Sequence, residues 1–164
     1  MPIVSHTIDI DAPANRVWAI LTDTAAYSEW NTFIPKLDGS LEPGSRLDVT
    51  IAPPGAKQQR FAPTVTAVVP ERRLAWLGRL LIPGIFDGAH TFELDALTTE
   101  STRFTQSERF SGLIVPILRR LLRTTEAGFA AMNTALAERA GTQYACERSL
   151  IRECRPPRSD SGRR

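Results

Sequence analysis

The 164-residue chain is poor in the side chains that most enzymes rely on. Both of its cysteines, Cys146 and Cys154, lie beyond Gly141, so the body of the protein has no thiol nucleophile, no disulfide and no soft metal ligand. They stand eight residues apart with no histidine pair beside them, which is not a zinc pattern. In a reducing compartment they read as free thiols. Histidine is limited to His6 and His90, too few for most metal sites, and no metal or organic cofactor is expected. Long apolar runs are missing as well. The longest, residues 113–118, stops at Arg119-Arg120, far short of the roughly 20 residues a membrane span needs. Residues 1–5 show no basic start followed by an apolar core, so no secretory signal is read. The expectation is a cytoplasmic protein without integral membrane association.

A strong charge of either sign is also lacking. The net charge is +2, and residues 141–164 hold six arginines against three acids, leaving residues 1–140 close to neutral. A body without a Lys/Arg-rich face is not built to contact phosphates, which argues against nucleic acid as a partner. Eighteen arginines against two lysines, with abundant alanine, are the bias of a GC-rich bacterial genome. With 42% hydrophobic residues, the length suits one domain with a sizeable core. Residues 1–140 are read as that domain. Residues 141–164 are read as a basic tail of disordered composition, ending in Arg155-Pro156-Pro157-Arg158 and a polar run.

Alternation organises the body. Val4, His6, Ile8 and Ile10 share one face of an opening strand, with Ser5, Thr7, Asp9 and Asp11 opposite. Ala12-Pro13 ends it, and Val17, Trp18, Ile20 and Leu21 then step at helical spacing. A second short helix is predicted through Tyr27 to Trp30. Strand-like runs follow over 47–51, 59–69, 74–81, 89–97 and 102–110, separated by Pro/Gly turn signals. A long amphipathic helix starting near Val115 carries Leu118, Leu122, Thr125, Phe129, Met132 and Leu136 on one stripe.

This order resembles the helix-grip arrangement of the START/Bet v 1-like (SRPBCC) superfamily, and within it the bacterial polyketide cyclase/dehydrase-like members. The resemblance rests on Ala12-Pro13 with Val17-Trp18, on Glu29-Trp30-Asn31 with Phe33-Ile34-Pro35, and on Trp76 with Gly78. It continues through Pro83-Gly84-Ile85-Phe86 before His90-Thr91-Phe92, Gln106 to Gly112, and Gly128-Phe129 with Met132-Asn133. It implies an α+β fold: a seven-stranded curved antiparallel sheet, two short helices after the first strand, and a long C-terminal helix over the concave face. It also implies a cavity between sheet and helix for a small hydrophobic molecule, a lipid or polyketide-like metabolite, in a monomer or homodimer.

The inward positions then become the candidate site. Ligand-binding candidates are His6, Ile8, Trp30, Phe33, Trp76, Phe86, Phe92, Phe104, Gln106, Phe129 and Met132. The catalytic candidates are Glu108 and His90. Glu108 lies between Gln106 and Phe110 on a face that Phe104 and Phe110 mark as buried, and an inward carboxylate is the kind of group that serves as general acid or base. His90 is its candidate partner on an adjacent strand. The competing reading makes Glu108 a structural hydrogen-bond partner and the apolar residues a solid core. Convergence of Glu108 and His90 in one solvent-reachable pocket favours a cyclase/dehydratase-type enzyme; their separation favours a carrier.

Overall fold

A computed structural model describes residues 1–80, 85–112 and 119–153. In chain order the elements are β1 (Ile3–Ile10), α1 (Ala14–Thr22), a 3-10 turn (Thr24–Ala26), α2 (Tyr27–Trp30), β2 (Lys36–Asp38), β3 (Asp48–Ile51), β4 (Gln59–Phe61), β5 (Thr64–Val69), β6 (Arg73–Leu80), β7 (Phe86–Ala96), β8 (Thr102–Ser111) and α3 (Arg119–Glu153). The α+β helix-grip expectation holds: an antiparallel sheet with a long C-terminal helix laid against it.

The strand count differs from the expected seven in one sheet. Five strands pair in the order β1-β8-β7-β6-β5, and three more form β2-β3-β4. The run read as one strand over 59–69 is divided at Ala62-Pro63, where proline has no N–H to give a ladder. An isolated bridge, Arg46 to Thr64, joins the segment before β3 to β5. The short strand β2 escapes an alternation test because three residues are too few to show a period.

Local sequence explains the connections. Pro13 precedes α1, whose Val17, Ile20 and Leu21 are all buried. The Tyr27 hydroxyl donates to the Leu21 carbonyl at 2.6 Å from a fully buried position, and burial pushes that phenol well above its usual range. The closed end of the sheet–helix interface is solid: Phe92, Phe104, Phe129, Met132 and Leu136 have no exposed surface. The Asn133 amide on α3 donates at 3.0 Å to both the ring Nδ1 and the carbonyl of His6, fastening the helix to β1.

The expected start of the last helix near Val115 lies outside the described residues. Its end does not fall at Gly141: α3 continues to Glu153, so residues 141–153 are helix and not irregular tail. No proline interrupts that stretch, and one helical glycine costs only about 1 kcal/mol relative to alanine. Contacts back to the body hold the extension: Arg16 with Glu147 at 2.7 Å, Arg148 with Glu100 at 3.1 Å, and Tyr144 with Glu100 at 3.3 Å. Cys146 is a free, exposed thiol; Cys154 lies outside the described residues. No helix among the described residues is long and apolar enough to cross a membrane.

Two exposed acids sit in cross-strand ion pairs. Hydrogen bonds from Arg103 hold the Asp9 carboxyl below the usual carboxylate range, and those from Arg60 do the same for Asp48, with Lys36 adding to the effect. A depressed folded-state pKa gives stability that is present above the unfolded value and lost as pH falls through the folded one. The Asp9→Asn/Asp48→Asn protein should therefore lose less melting temperature than wild type when pH is lowered from about 4 to about 2. Parallel acid limbs for the two proteins would contradict the assignment.

Candidate functional site

Strand register builds the site. Trp76 on β6 lies opposite His90 on β7, and His90 lies opposite Glu108 on β8. Alternation puts all three on the face that meets α3. The Trp76 and His90 rings stack at 4.9 Å with 16° between planes, and Phe92 and Phe129 close on the imidazole at 4.6 and 5.2 Å. His90 is 2% exposed, while the Glu108 side chain keeps 17% exposure, so the carboxylate is the member of the pair that solvent reaches.

Glu108 Oε2 stands 3.6 Å from His90 Nδ1, an electrostatic contact longer than a hydrogen bond. On the other side of the ring, Gln106 Nε2 is 3.2 Å from His90 Nε2 and donates at 3.5 Å to Met132 Sδ. Gln106 thus meets one ring nitrogen of His90, Nε2, while Glu108 faces the other, Nδ1. The result is a line from Gln106 through His90 to the carboxylate.

Two glycines make room in front of it. Gly78 and Gly88 face each other across β6 and β7, on the same sheet face as Trp76 and His90. They remove two side chains from the floor of the groove. A Cβ on Gly88 would fall 2.3 Å from Glu108 Oε1, so the carboxyl group rests on the bare backbone there. A Cβ on Gly78 would meet nothing closer than the Gly88 carbonyl at 3.7 Å, so that position opens onto free space.

The far wall comes from the small sheet and the α2–β2 connection. Asn31 Oδ1 accepts from the backbone N–H groups of Phe33 and Ile34 at 3.2 and 2.7 Å, a turn that presents the Phe33 ring. That ring lies directly on Gly128 of α3, where a Cβ would come within 2.1 Å, and meets Phe129 edge-on at 5.6 Å. Val49, Ile51 and Phe61 from β3 and β4 add apolar surface. The resulting slot has a volume of about 70 Å³, room for a few water molecules and well below the roughly 300 Å³ of a drug-sized ligand site. It is open at its mouth, so a ligand can stand partly outside it.

Of the sequence candidates, the slot is lined by Phe33, Trp76, His90 and Glu108, with Gln106 immediately behind His90. Phe92, Phe104, Phe129 and Met132 are core. His6 and Ile8 lie on β1, beyond β8 and away from the slot. Trp30 packs edge-on against Tyr27 and borders a separate hollow with Ile20, Arg139 and Gln143. The Phe86 side chain lies outside the described residues. Sequence reading passed over the glycine pair, Phe110, Thr125 and the small-sheet residues Val49, Ile51 and Phe61. The glycines carried a usable signal, standing two residues from Trp76 and from His90 on the inward alternation.

Sheet, grip helix and internal slot together define the START-like class of proteins. The chain belongs to the family described as polyketide cyclase / dehydrase and lipid transport, whose model matches residues 1–141. Among solved structures it is similar to the Zhui aromatase/cyclase of a Streptomyces species, at TM-score 0.70 and 19% identity over 85% of this chain and 93% of that one. A START superfamily protein from Mycobacterium smegmatis gives TM-score 0.66 at 21% identity, covering 86% and 98%. A norcoclaurine synthase of Thalictrum flavum gives 0.65 at 17%, covering 85% and 93%. At these identities the likeness is one of fold. No protein with curated function matches the sequence.

Gly88→Ala tests the placement of the carboxyl group. The conflict is with the far end of a flexible side chain, so melting should move by no more than about 3 °C, while the His90 ring resonances shift as Glu108 is displaced. Unchanged ring resonances would mean that the carboxyl group does not rest on Gly88.

Proposed function

We propose that the slot binds one end of a small, flat, hydrophobic molecule, with a polar group of that molecule held at Glu108. The observation carrying this reading is the bare floor at the glycine pair, taken up by the Glu108 carboxyl group at Gly88 and unfilled at Gly78, beside an aromatic wall in an otherwise close-packed interface. The family, with its cyclase, dehydrase and lipid-transport members, supports a ligand of this character. Indole is a suitable neutral probe, and the amide resonances of Gly78 and Gly88 report its entry. Gly78→Val, whose Cβ meets nothing nearer than the Gly88 carbonyl at 3.7 Å, should fill the slot and weaken indole binding at least tenfold at an unchanged fold. Equal affinity in the two proteins would place the binding elsewhere.

The convergence of Glu108 and His90 in a solvent-reachable pocket favours a second step, proton transfer, over simple carriage. In this reading Glu108 accepts a proton from carbon or oxygen of the bound molecule, and His90 acts as a positioning residue whose N–H steadies the carboxylate. Cyclisation by aldol addition and dehydration both begin with such a proton removal. A carbon-acid probe separates this reading from binding alone. With 5-nitrobenzisoxazole, Glu108 would take the ring C–H proton while the N–O bond breaks to give the cyanophenolate. Wild type should accelerate this opening, and Glu108→Gln should lower the rate by about tenfold to a hundredfold. Equal rates in the two proteins would leave binding without proton transfer.

A further inference from the structure

The charge inside the slot constrains the ligand further. Among the described residues Glu108 is the one acid lining it, and its only ion-pair partner among them is His90, at 3.6 Å. No lysine or arginine among them comes within 4.0 Å of its carboxylate. Arg79 borders the slot, but it stands between inward Gly78 and the strand end, on the alternate face of β6, and its partner is Asp87 at 3.9 Å. The carboxylate therefore looks into an aromatic enclosure, made by Phe33, Phe61, Trp76 and Phe110, with the His90 imidazole as its only ion-pair partner among the described residues.

Such a combination is complementary to a positive charge. The faces of aromatic rings carry negative potential and attract an ammonium group, and an apolar wall strengthens the pull of a nearby carboxylate by keeping water away. A carboxylate ligand would meet Glu108 as a like charge in the same low-dielectric space, and a neutral ligand would add no positive charge opposite it. We infer that the polar end of the ligand is a protonated amine, so that the slot takes small aromatic amines in preference to neutral or acidic molecules of the same shape. This rests on the reading of the slot as a binding site and names the ligand class within it.

Three one-ring probes of nearly equal size separate the possibilities: benzylamine, benzyl alcohol and benzoate, each titrated near pH 7 and followed by the amide resonances of Gly78 and Gly88. Benzylamine should bind at least tenfold more tightly than benzyl alcohol, and benzoate most weakly. In Glu108→Gln the amine should lose its advantage, so that amine and alcohol bind alike. Glu108→Asp, which keeps the charge, should keep the preference and guards against a folding defect in the first variant. Equal binding of amine and alcohol by wild type, tighter binding of benzoate, or an amine preference that survives in Glu108→Gln would each overturn the inference while leaving the slot as a site for hydrophobic molecules. Failure of all three probes to perturb Gly78 and Gly88 would overturn the inference together with the binding reading beneath it.

Discussion

Three antiparallel strands in a single register put Trp76 opposite His90 and His90 opposite Glu108, and the rest of the site depends on that pairing. Side chains alternate across a strand, so a slip of one residue in either ladder would turn the row to the opposite face and replace a polar line with whatever lies next to it. Burial fixes the register. Phe92 and Phe104 flank the row with no exposed surface, and moving them outward would lose about 1.5–3 kcal/mol each. The same apolar residues that carry no chemistry thus determine where the chemistry-bearing residues stand.

A slot in a packed interface has a cost, and its location shows how the fold meets it. Two facing glycines give up side-chain burial at the floor, and the Phe33 ring occupies the groove over Gly128 at the roof. The losses are confined to one end of the sheet–helix interface. At the other end the core is continuous from Phe92 through Phe129 to Leu136, and α3 is fastened to β1 by Asn133 and clasped to the body by the ion pairs of its extension. Stability concentrated at one end leaves the other free to hold an imperfectly filled space, as functional sites commonly require.

Much of this was legible before any coordinates. The period-2 faces of β1, β7 and β8 are strong because each has one buried side, so the inward positions of His6, Gln106, Glu108 and His90 could be read directly. Which inward residues border empty space could not be read, because that depends on side-chain volumes across three or four strands and a helix at once. Phe92 and Phe104 obey the same alternation as Trp76 and yet are core. The split into two sheets turned on one proline in an otherwise strand-like run. The helical extension past Gly141 escaped for another reason: its outer turns are set mainly by helix-forming residues and surface ion pairs, which leave no apolar stripe to follow.

Electrostatics and geometry pull on the site from two directions. A carboxylate that is to move a proton needs partial desolvation, a positioned partner and access to the substrate, and Glu108 has all three: 17% side-chain exposure, His90 at 3.6 Å and the unfilled floor at Gly78. A carboxylate that is to hold a cation needs the same desolvation but no proton to exchange. Under the proposed reading one arrangement serves both, because the carboxylate that would pair with a cationic ligand end is also the base standing beside the rest of the ligand. Binding and proton transfer would then be two uses of a single carboxylate, with Gln106 bonded to the imidazole that faces it.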